Sequence, residues 1–378
     1  MSVPGTGPSI LVLVRVLFSS SSGAGHFGPL VPFVQAWQSR GDDVLVAVPP
    51  ARQEQAAALG VELLLLPDPP QEDVAEVWSR VRAGQPASVD QEIFAGLNTT
   101  AYLPVLERAC REWAPDLMMH EAAEFAGAIV ADRHGVRHAQ IAIGLAEVEA
   151  GALRSVSAVL EKHAAGAAEA VRTSPYLTRL PASVDPSPYP DTRRVRADLR
   201  PGREESRDPE SRVFVSFGTV VGALPIAEEV YRETLAALRD LPVRAVLTTG
   251  GTGAGLRLGA IPENVTVVDW VDQNSMIAAA SVVIGHGGAG TTFGALERGV
   301  PVVVVPFMAD QPANARIVTA AGAGLTVTPG PDAPDSGPLR ERLRTAIGTV
   351  LREPSFRSNA QVFADETAAM PAIGSIEL

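Results

Sequence analysis

The chain has 378 residues, 46% hydrophobic and 20% charged, with 31 Lys and Arg against 43 Asp and Glu for a net charge of −12. This is enough apolar material for two cored domains, and an acidic chain with no Lys/Arg-rich block lacks a nucleic-acid footprint. Cys110 is the only cysteine, so an internal disulfide and a thiolate metal cluster are both excluded.

Met1–Ser9 lacks the basic start of a signal peptide. The apolar run Ile10–Phe18 is too short to cross a bilayer and contains Arg15. We therefore expect a cytoplasmic protein without membrane insertion. That run reads as a buried parallel strand. After a glycine turn, Phe27, Leu30, Val31, Val34 and Trp37 recur at helical spacing, and Gly41 closes the helix. Val44–Val48, a helix over Gln53–Leu59 and the strand Val61–Leu66 follow. Cys110 falls in the helical stretch Val105–Trp113 as a small core residue. Next come the strands Asp116–His120 and His138–Ile143, with the helix Phe125–Arg133 between them.

The rhythm breaks at Thr173–Arg212, rich in proline and charge, which suits an interdomain linker with exposed loops. It restarts with strands at Val213–Phe217, Val243–Thr248, Val265–Val268, Ser281–Ile284, Val302–Val305 and Leu325–Val327. Helices Leu339–Leu351 and Phe356–Ala369 end the chain. The alternation predicts two α/β domains with parallel sheets and a cleft between them. Residues 1–192 form the first domain, 193–212 the linker and 213–355 the second domain.

Two glycine turns carry the chemistry. The first follows the first strand and reads Ser19-Ser20-Ser21-Ser22-Gly23-Ala24-Gly25-His26-Phe27-Gly28. Gly23, Gly25 and Gly28 match the GxGxxG dinucleotide fingerprint. A true fingerprint ends its second strand on an acid that holds the ribose. Here that strand ends Val48-Pro49-Pro50-Ala51-Arg52, and four serines separate the first strand from Gly23. NAD binding at these glycines stays as an alternative. The second turn, His286-Gly287-Gly288-Ala289-Gly290-Thr291, lies between a strand and a helix start. Backbone N–H groups freed by glycine, a helix N-terminus and an imidazole together suit a diphosphate.

Residues 286–315, HGGAGTTFGALERGVPVVVVPFMADQPANA, resemble the donor-binding signature of the GT-B nucleotide-sugar glycosyltransferases. The likeness is strongest to bacterial enzymes that glycosylate macrolides, other polyketides and antibiotics. Its pieces are His-Gly-Gly-x-Gly-Thr, then Ala-Leu-x-x-Gly-Val-Pro, then Asp310-Gln311 with Asn314-Ala315. The resemblance implies an α/β GT-B fold of two Rossmann-like domains facing each other across a cleft, with residues 356–378 crossing back to the first domain. It implies a donor site from Ser216, Gly218, Thr219, Trp270, Val271, Gln273, His286, Gly287, Gly288, Ala289, Gly290, Thr291, Asp310 and Gln311. Trp270 offers a flat face for the base and Gln273 an amide for a base edge or ribose. Asp310 and Gln311 fit hydrogen bonds from sugar hydroxyls.

The resemblance also makes His26 the general base, with a partner carboxylate at Glu121, a position usually filled by Asp. Glu124 competes for that role, and the choice stays open. Two further departures stand out: Asp272 replaces a proline, and Gly294 stands where many members carry a ribose-gripping Glu. Glu297, a helical turn later, is not assigned to the ribose. Trp78, Phe94, Leu97 and Tyr102 are candidate acceptor contacts, with a core role open for each. His134 and His138 lack a third metal ligand. No Asp-x-Asp, Gly-x-Ser-x-Gly or P-loop lysine is present.

The expectation is a metal-independent, inverting transfer of a sugar from a dTDP- or UDP-linked donor to a small lipophilic acceptor. The sugar is expected to be a deoxysugar, and no resident cofactor is expected; a homodimer is left open. A GT-B-like sugar-nucleotide epimerase or a non-catalytic sugar-nucleotide sensor would share the clamp. The apolar region Asp68–Tyr102 favours an acceptor, and His26 favours catalysis.

Overall fold

The computed structural model describes residues 13–197, 211–218, 226–251, 256–330 and 337–378. Thr219, the beginning of the first apolar run and most of the expected linker lie outside the described residues. Two compact units emerge: residues 1–141, 153–175 and 377–378, and residues 142–152 and 176–376.

In the first unit the strands are β1 (Arg15–Ser19), β2 (Asp43–Val48), β3 (Glu62–Leu65), β4 (Leu117–Glu121) and β5 (Arg137–Ile141). They adjoin in the order β3-β2-β1-β4-β5, all parallel. Every residue of β4 is buried, as a strand covered on both faces requires. The helices are α1 (Ala24–Phe27), α2 (Val31–Arg40), α3 (Gln53–Ala57), α4 (Gln71–Arg82), α5 (Thr99–Glu112) and α6 (Ala126–His134). Gly41 ends α2 in the left-handed conformation at φ 87°, the helix stop expected from its position. Between α4 and α5 a π-helix covers Val89–Asn98. Such wide turns are rare and recur at functional sites. Cys110 is buried, its Sγ 3.5 Å from Met118 Sδ.

The helices α7 (Ala146–His163) and α8 (Ala167–Thr173) follow. In the second unit β6 (Tyr176–Thr178) pairs in parallel with β7 (Thr192–Arg194). The stretch read as exposed linker is therefore partly packed strand. Tyr176, Leu177, Tyr189 and Val195 are all buried, and the rings of Tyr176 and Tyr189 stack at 4.2 Å. Its prolines and charges mask this because each strand is only three residues long, too short to show a period.

The remaining strands are β8 (Ser211–Ser216), β9 (Val243–Thr248), β10 (Val265–Val268), β11 (Val282–Gly285), β12 (Val302–Val304) and β13 (Gly324–Thr326). They form a six-stranded parallel sheet in the order β10-β9-β8-β11-β12-β13. Its helices are α9 (Ala227–Arg239), α10 (Gln273–Ala278), α11 (Ala289–Leu296), α12 (Gln311–Ala320), α13 (Leu339–Arg352) and α14 (Pro354–Ala368). Two apolar clusters cover this sheet, one with α9 and α13, the other with α11 and α12. Arg357 fastens α14 to this unit by donating to the carbonyls of Ala280 and Ser281. The terminal Glu377 and Leu378 group with the first unit, where Arg137 donates to the Leu378 carbonyl.

Both sheets reverse their strand order beside their first strand, between β1 and β4 and between β8 and β11. Ligands of open parallel sheets bind beyond the carboxyl ends of the strands at such a reversal. Those two points hold His26 with Glu121 and Ser216 with His286.

Candidate active site

At the first reversal, β1 runs into the serine stretch and β4 ends on Glu121. Glu121 is fully buried and all its charge is answered locally. His26 Nδ1 lies 3.0 Å from Oε1, and the Ser21 hydroxyl donates to the same oxygen at 2.8 Å. The Ala123 amide donates to Oε2 at 2.6 Å. Burial alone pushes this carboxyl up, but the charge and hydrogen bond of His26, with the Ala123 and Ser21 donors, hold it below the usual range.

Glu124 does a different job. Its Oε1 accepts the Ala126 amide at 2.8 Å and both oxygens accept that of Gly127, so it closes the start of α6. The Ser19 hydroxyl donates to its Oε2. Burial, followed by the opposing Ser19 bond and the repulsion of Glu121, leaves its carboxyl pushed up to about 7. Of the two acids, Glu121 is the one hydrogen-bonded to His26.

Phe94 of the π-helix packs on the His26 ring, their centroids 4.9 Å apart. Trp78 and Leu97 are half-buried. Tyr102 corrects the acceptor list, because it is 1% exposed in a cluster with Leu17, Leu106 and Met118 and serves the core. His134 binds Glu107 at 2.7 Å and His138 binds His120 at 3.2 Å, so these imidazoles have partners apart from each other.

The glycine pattern of the first turn is also explained. A Cβ on Gly23 would lie 2.4 Å from His26 Cδ2, whereas one on Gly25 or Gly28 would meet nothing within 4 Å. Only Gly23 is required by close approach, and the group approaching is His26. The third glycine of a dinucleotide fingerprint serves close helix packing, whereas a Cβ on Gly28 would meet nothing within 4 Å, and this argues against the NAD alternative.

At the second reversal, the His286 ring sits against two backbones. A Cβ on Gly218, itself at φ 74°, would lie 2.8 Å from the ring, and one on Gly288 would lie 2.4 Å from Nε2. Burial, against a hydrogen bond to the Ser216 backbone, pushes its imidazole down to about 4. Its Nδ1 has no hydrogen-bond partner. Gly287 adopts φ 91°, and a Cβ there would strike Val304 at 2.8 Å. The turn runs into α11 at Ala289, leaving Gly290 exposed and Thr291 buried. The amides at that helix start have no partners earlier in the helix.

The Thr291 hydroxyl reaches Gln273 Oε1 at 3.4 Å, which brings the Trp270–Gln273 segment beside the turn. Trp270 is 70% exposed, and Val271 is half-buried against the core. Asp272 caps α10, accepting the Asn274 amide at 3.2 Å; this is a use for the residue that replaces proline. Glu297 pairs with Arg179, so its carboxylate is committed away from a ribose role.

Asp310 starts α12 and accepts from Asn314 Nδ2 at 2.7 Å, while the same amide donates to the Gly287 carbonyl at 2.8 Å. Asn314 thus ties Asp310 to the turn of His286. Gln311 differs from expectation in one respect. Its Oε1 accepts the amides of Phe307 and Met308 at 2.8 and 3.1 Å, so that oxygen braces the loop and Nε2 is the group left for a ligand. Two contributors escaped the sequence reading. Ser21 was visible only as one of four serines, and Asn314 only as a motif letter four residues from Asp310.

An open hollow lined by Arg212, Arg244 and Asn264 lies at the amino ends of β8 and β9, the end of a parallel sheet that does not gather ligands. Among the described residues, no helix is long and apolar enough to cross a membrane.

Comparison with known proteins identifies the family. Residues 232–376 match the family of the erythromycin biosynthesis protein CIII-like C-terminal domain. The elloramycin glycosyltransferase of Streptomyces olivaceus is 30% identical over 387 residues, covering 95% of this chain and 94% of that protein. The tylactone mycaminosyltransferase of Streptomyces fradiae is 26% identical, covering 97% of this chain and 91% of that protein. Among solved structures, the glycosyltransferase SnogD from Streptomyces nogalater superposes with a TM-score of 0.75 at 23% identity, covering 96% of this chain and 97% of that one. A spinosyn rhamnosyltransferase solved with thymidine diphosphate gives 0.76 at 24% identity, covering 96% of this chain and 98% of that one. The chain belongs to the family of GT-B glycosyltransferases that transfer sugars from nucleotide sugars in the biosynthesis of macrolides and other antibiotics.

Proposed function

We propose that this enzyme transfers a deoxysugar, with inversion, from a dTDP-sugar to a hydroxyl of a small lipophilic acceptor. The observation that carries the reading is the His26–Glu121 pair. Nδ1 is turned to the carboxylate at 3.0 Å, and in this reading Nε2 takes the proton. Glu121 fixes the tautomer and stabilises the imidazolium that forms. The acceptor oxygen forms its bond to the anomeric carbon as the bond from that carbon to the diphosphate oxygen breaks. The hydroxyl proton goes to His26 Nε2.

His286 and the amides of Gly287–Thr291 meet the charge developing on the leaving diphosphate. Trp270 stacks on the base, and Asp310 with Gln311 Nε2 holds sugar hydroxyls. The reaction needs no resident cofactor or metal in this reading, because the leaving charge is met by backbone and imidazole. The relatives' donors support a dTDP-sugar here: one structural neighbour was solved with thymidine diphosphate, and one relative is named a mycaminosyltransferase. A cytoplasmic enzyme fits the nucleotide-sugar substrate.

The epimerase alternative has no use for a second substrate's base, which the His26–Glu121 pair provides. The test is product stereochemistry: an α-linked donor should give a β-linked glycoside by NMR, with no loss of rate in chelator. A retained configuration, or a strict requirement for magnesium, would overturn this mechanism.

A further inference from the structure

The π-helix at Val89–Asn98 carries two acids in its first turn, Asp90 and Glu92, and the fold treats them differently. Glu92 is committed elsewhere. It pairs with Arg80 of α4, and its Oε1 accepts the Ser88 amide at 3.0 Å. Asp90 has no such partner among the described residues; the charge that acts on it is that of His26.

The helix geometry explains the difference. Asp90 and Phe94 are four residues apart, close to one turn of this wide helix, so Asp90 shares the face on which Phe94 packs at 4.9 Å from the His26 ring. Glu92, about half a turn round, lies on the other face. The helix is also held near each end by α7. Gln91 Nε2 donates to the Ser155 carbonyl and His163 Nε2 to that of Ala95, both at 2.9 Å. Asp90 and Phe94 are thus presented to His26 from a fixed backbone.

The titratable groups facing His26 are Glu121 from β4 and Asp90 from the π-helix. Glu121 is buried and hydrogen-bonded to Nδ1. Asp90 opens onto solvent and acts through its field. The surrounding protein pushes the Asp90 carboxyl up, and the charge of His26 draws it down. A Coulomb attraction is mutual, so the Asp90 carboxylate favours the charged imidazole in return.

We propose that Asp90 is a positioning residue for the proton transfer, a carboxylate one helical turn from Phe94 that stabilises the imidazolium His26 becomes. Glu121 orients the ring, and Asp90 adds charge from the solvent side. The idea rests on the reading of His26 as the base. Transfer needs His26 neutral, and a nearby negative charge favours its protonated form. Removing that charge therefore moves the acid limb of activity to lower pH.

The test measures kcat and kcat/KM against pH for wild type, Asp90→Asn and Asp90→Glu, with a saturating dTDP-sugar and any accepted aglycone. Asp90→Asn should move the midpoint of the acid limb down by about half a pH unit. It should lower kcat about threefold, with the acceptor KM and the Kd for dTDP unchanged. Asp90→Glu keeps the charge and should restore the limb. High salt should shift the wild-type limb toward that of Asp90→Asn, because an exposed charge is screened. An acid limb in Asp90→Asn that coincides with wild type overturns the proposal. So does a raised acceptor KM with an unmoved limb, which marks an acceptor contact. A lowered melting temperature with an unmoved limb also overturns it, since that marks only a favourable charge at a helix start. A wild-type profile without an acid limb would instead strike His26 as the base, and it is seen before any variant is made.

Discussion

His26 Nδ1 and Glu121 Oε1 stand 3.0 Å apart, although Glu121 is a methylene longer than the Asp usual at this position of the family. The extra length is absorbed locally. Ser21 holds Oε1 and Ala123 holds Oε2, so the longer side chain is fixed at both oxygens before it meets the imidazole. The serine run has an alternating use: Ser19 serves Glu124 and Ser21 serves Glu121. Residues two apart at the end of a strand share a face, which keeps the two carboxylates apart in role.

The first prediction follows from the base assignment. His26→Ala should lower turnover about 10²–10⁴-fold, the usual cost of losing a general base, while dTDP affinity stays at the wild-type value. Single-turnover rates and a thermal shift with dTDP measure the two separately. Undiminished turnover would remove His26 from the proton transfer.

The two acids should separate cleanly. Glu121→Gln should reduce kcat far more than it raises the acceptor KM, because it weakens support for an imidazolium formed in the transition state. Glu124→Gln should leave kcat nearly unchanged, since Glu124 touches Ser19, Ala126 and Gly127. The reverse ranking in steady-state kinetics would transfer the partner role to Glu124.

Glu124 instead makes a prediction about stability and pH. Its carboxyl is raised to about 7 in the folded chain, against about 4.3 for an unfolded Glu. Between those values the folded state keeps a proton that the unfolded state has released. This group therefore favours folding at low pH, and the contribution is lost as pH rises toward about 7. Asp185, pushed up to about 6 mainly by burial, acts in the same direction and is present in both proteins. Melting temperature should consequently fall more steeply between pH 5 and pH 8 in wild type than in Glu124→Gln. Parallel curves would show that Glu124 does not hold its proton in this range.

Most of the architecture was legible because parallel strands buried on both faces read as apolar runs. The strands Val243–Thr248 and Val265–Val268 have the bounds expected from sequence. The π-helix at Val89–Asn98 was not legible, because its wide turn leaves no standard period. Nor were β6 and β7, which are too short. At the site, the order of His26, Glu121 and the His286 turn along the chain was enough to nominate them. The choice between Glu121 and Glu124 was not available from spacing, because it depends on which side chain turns back onto α6. Gln311 shows the same limit: an amide in a motif does not reveal that its oxygen braces Phe307 and Met308.

The His286 turn predicts how affinity divides along the ligand. His286→Ala should weaken dTDP binding about tenfold or more, the scale of a hydrogen bond to a charged group, and should leave thymidine affinity nearly unchanged. Calorimetric titration of both ligands is sufficient. An equal loss for the two would place His286 at the nucleoside rather than the phosphates.

Donor choice gives the last prediction. Gly294 carries no carboxylate for the ribose, and a Cβ there would meet only Ile277 at 3.9 Å; Glu297 is occupied by Arg179. Discrimination must then fall on base, diphosphate and sugar. At the sugar end, Phe307 and Met308, both half-buried, precede Asp310. A methyl or deoxygenated carbon is accommodated by the apolar side chains of Phe307 and Met308, which offer an additional hydroxyl set against them no partner for the water it gives up. In direct competition with any accepted aglycone, a dTDP-deoxysugar should therefore be consumed in preference to UDP-glucose. Repeating the competition with dTDP-glucose separates the base from the sugar. A deoxysugar preference that persists against dTDP-glucose assigns the selection to the sugar pocket. One that vanishes assigns it to the base held by Trp270 and Gln273. A clear preference for UDP-glucose would reject the apolar sugar pocket while leaving the His26–Glu121 chemistry intact.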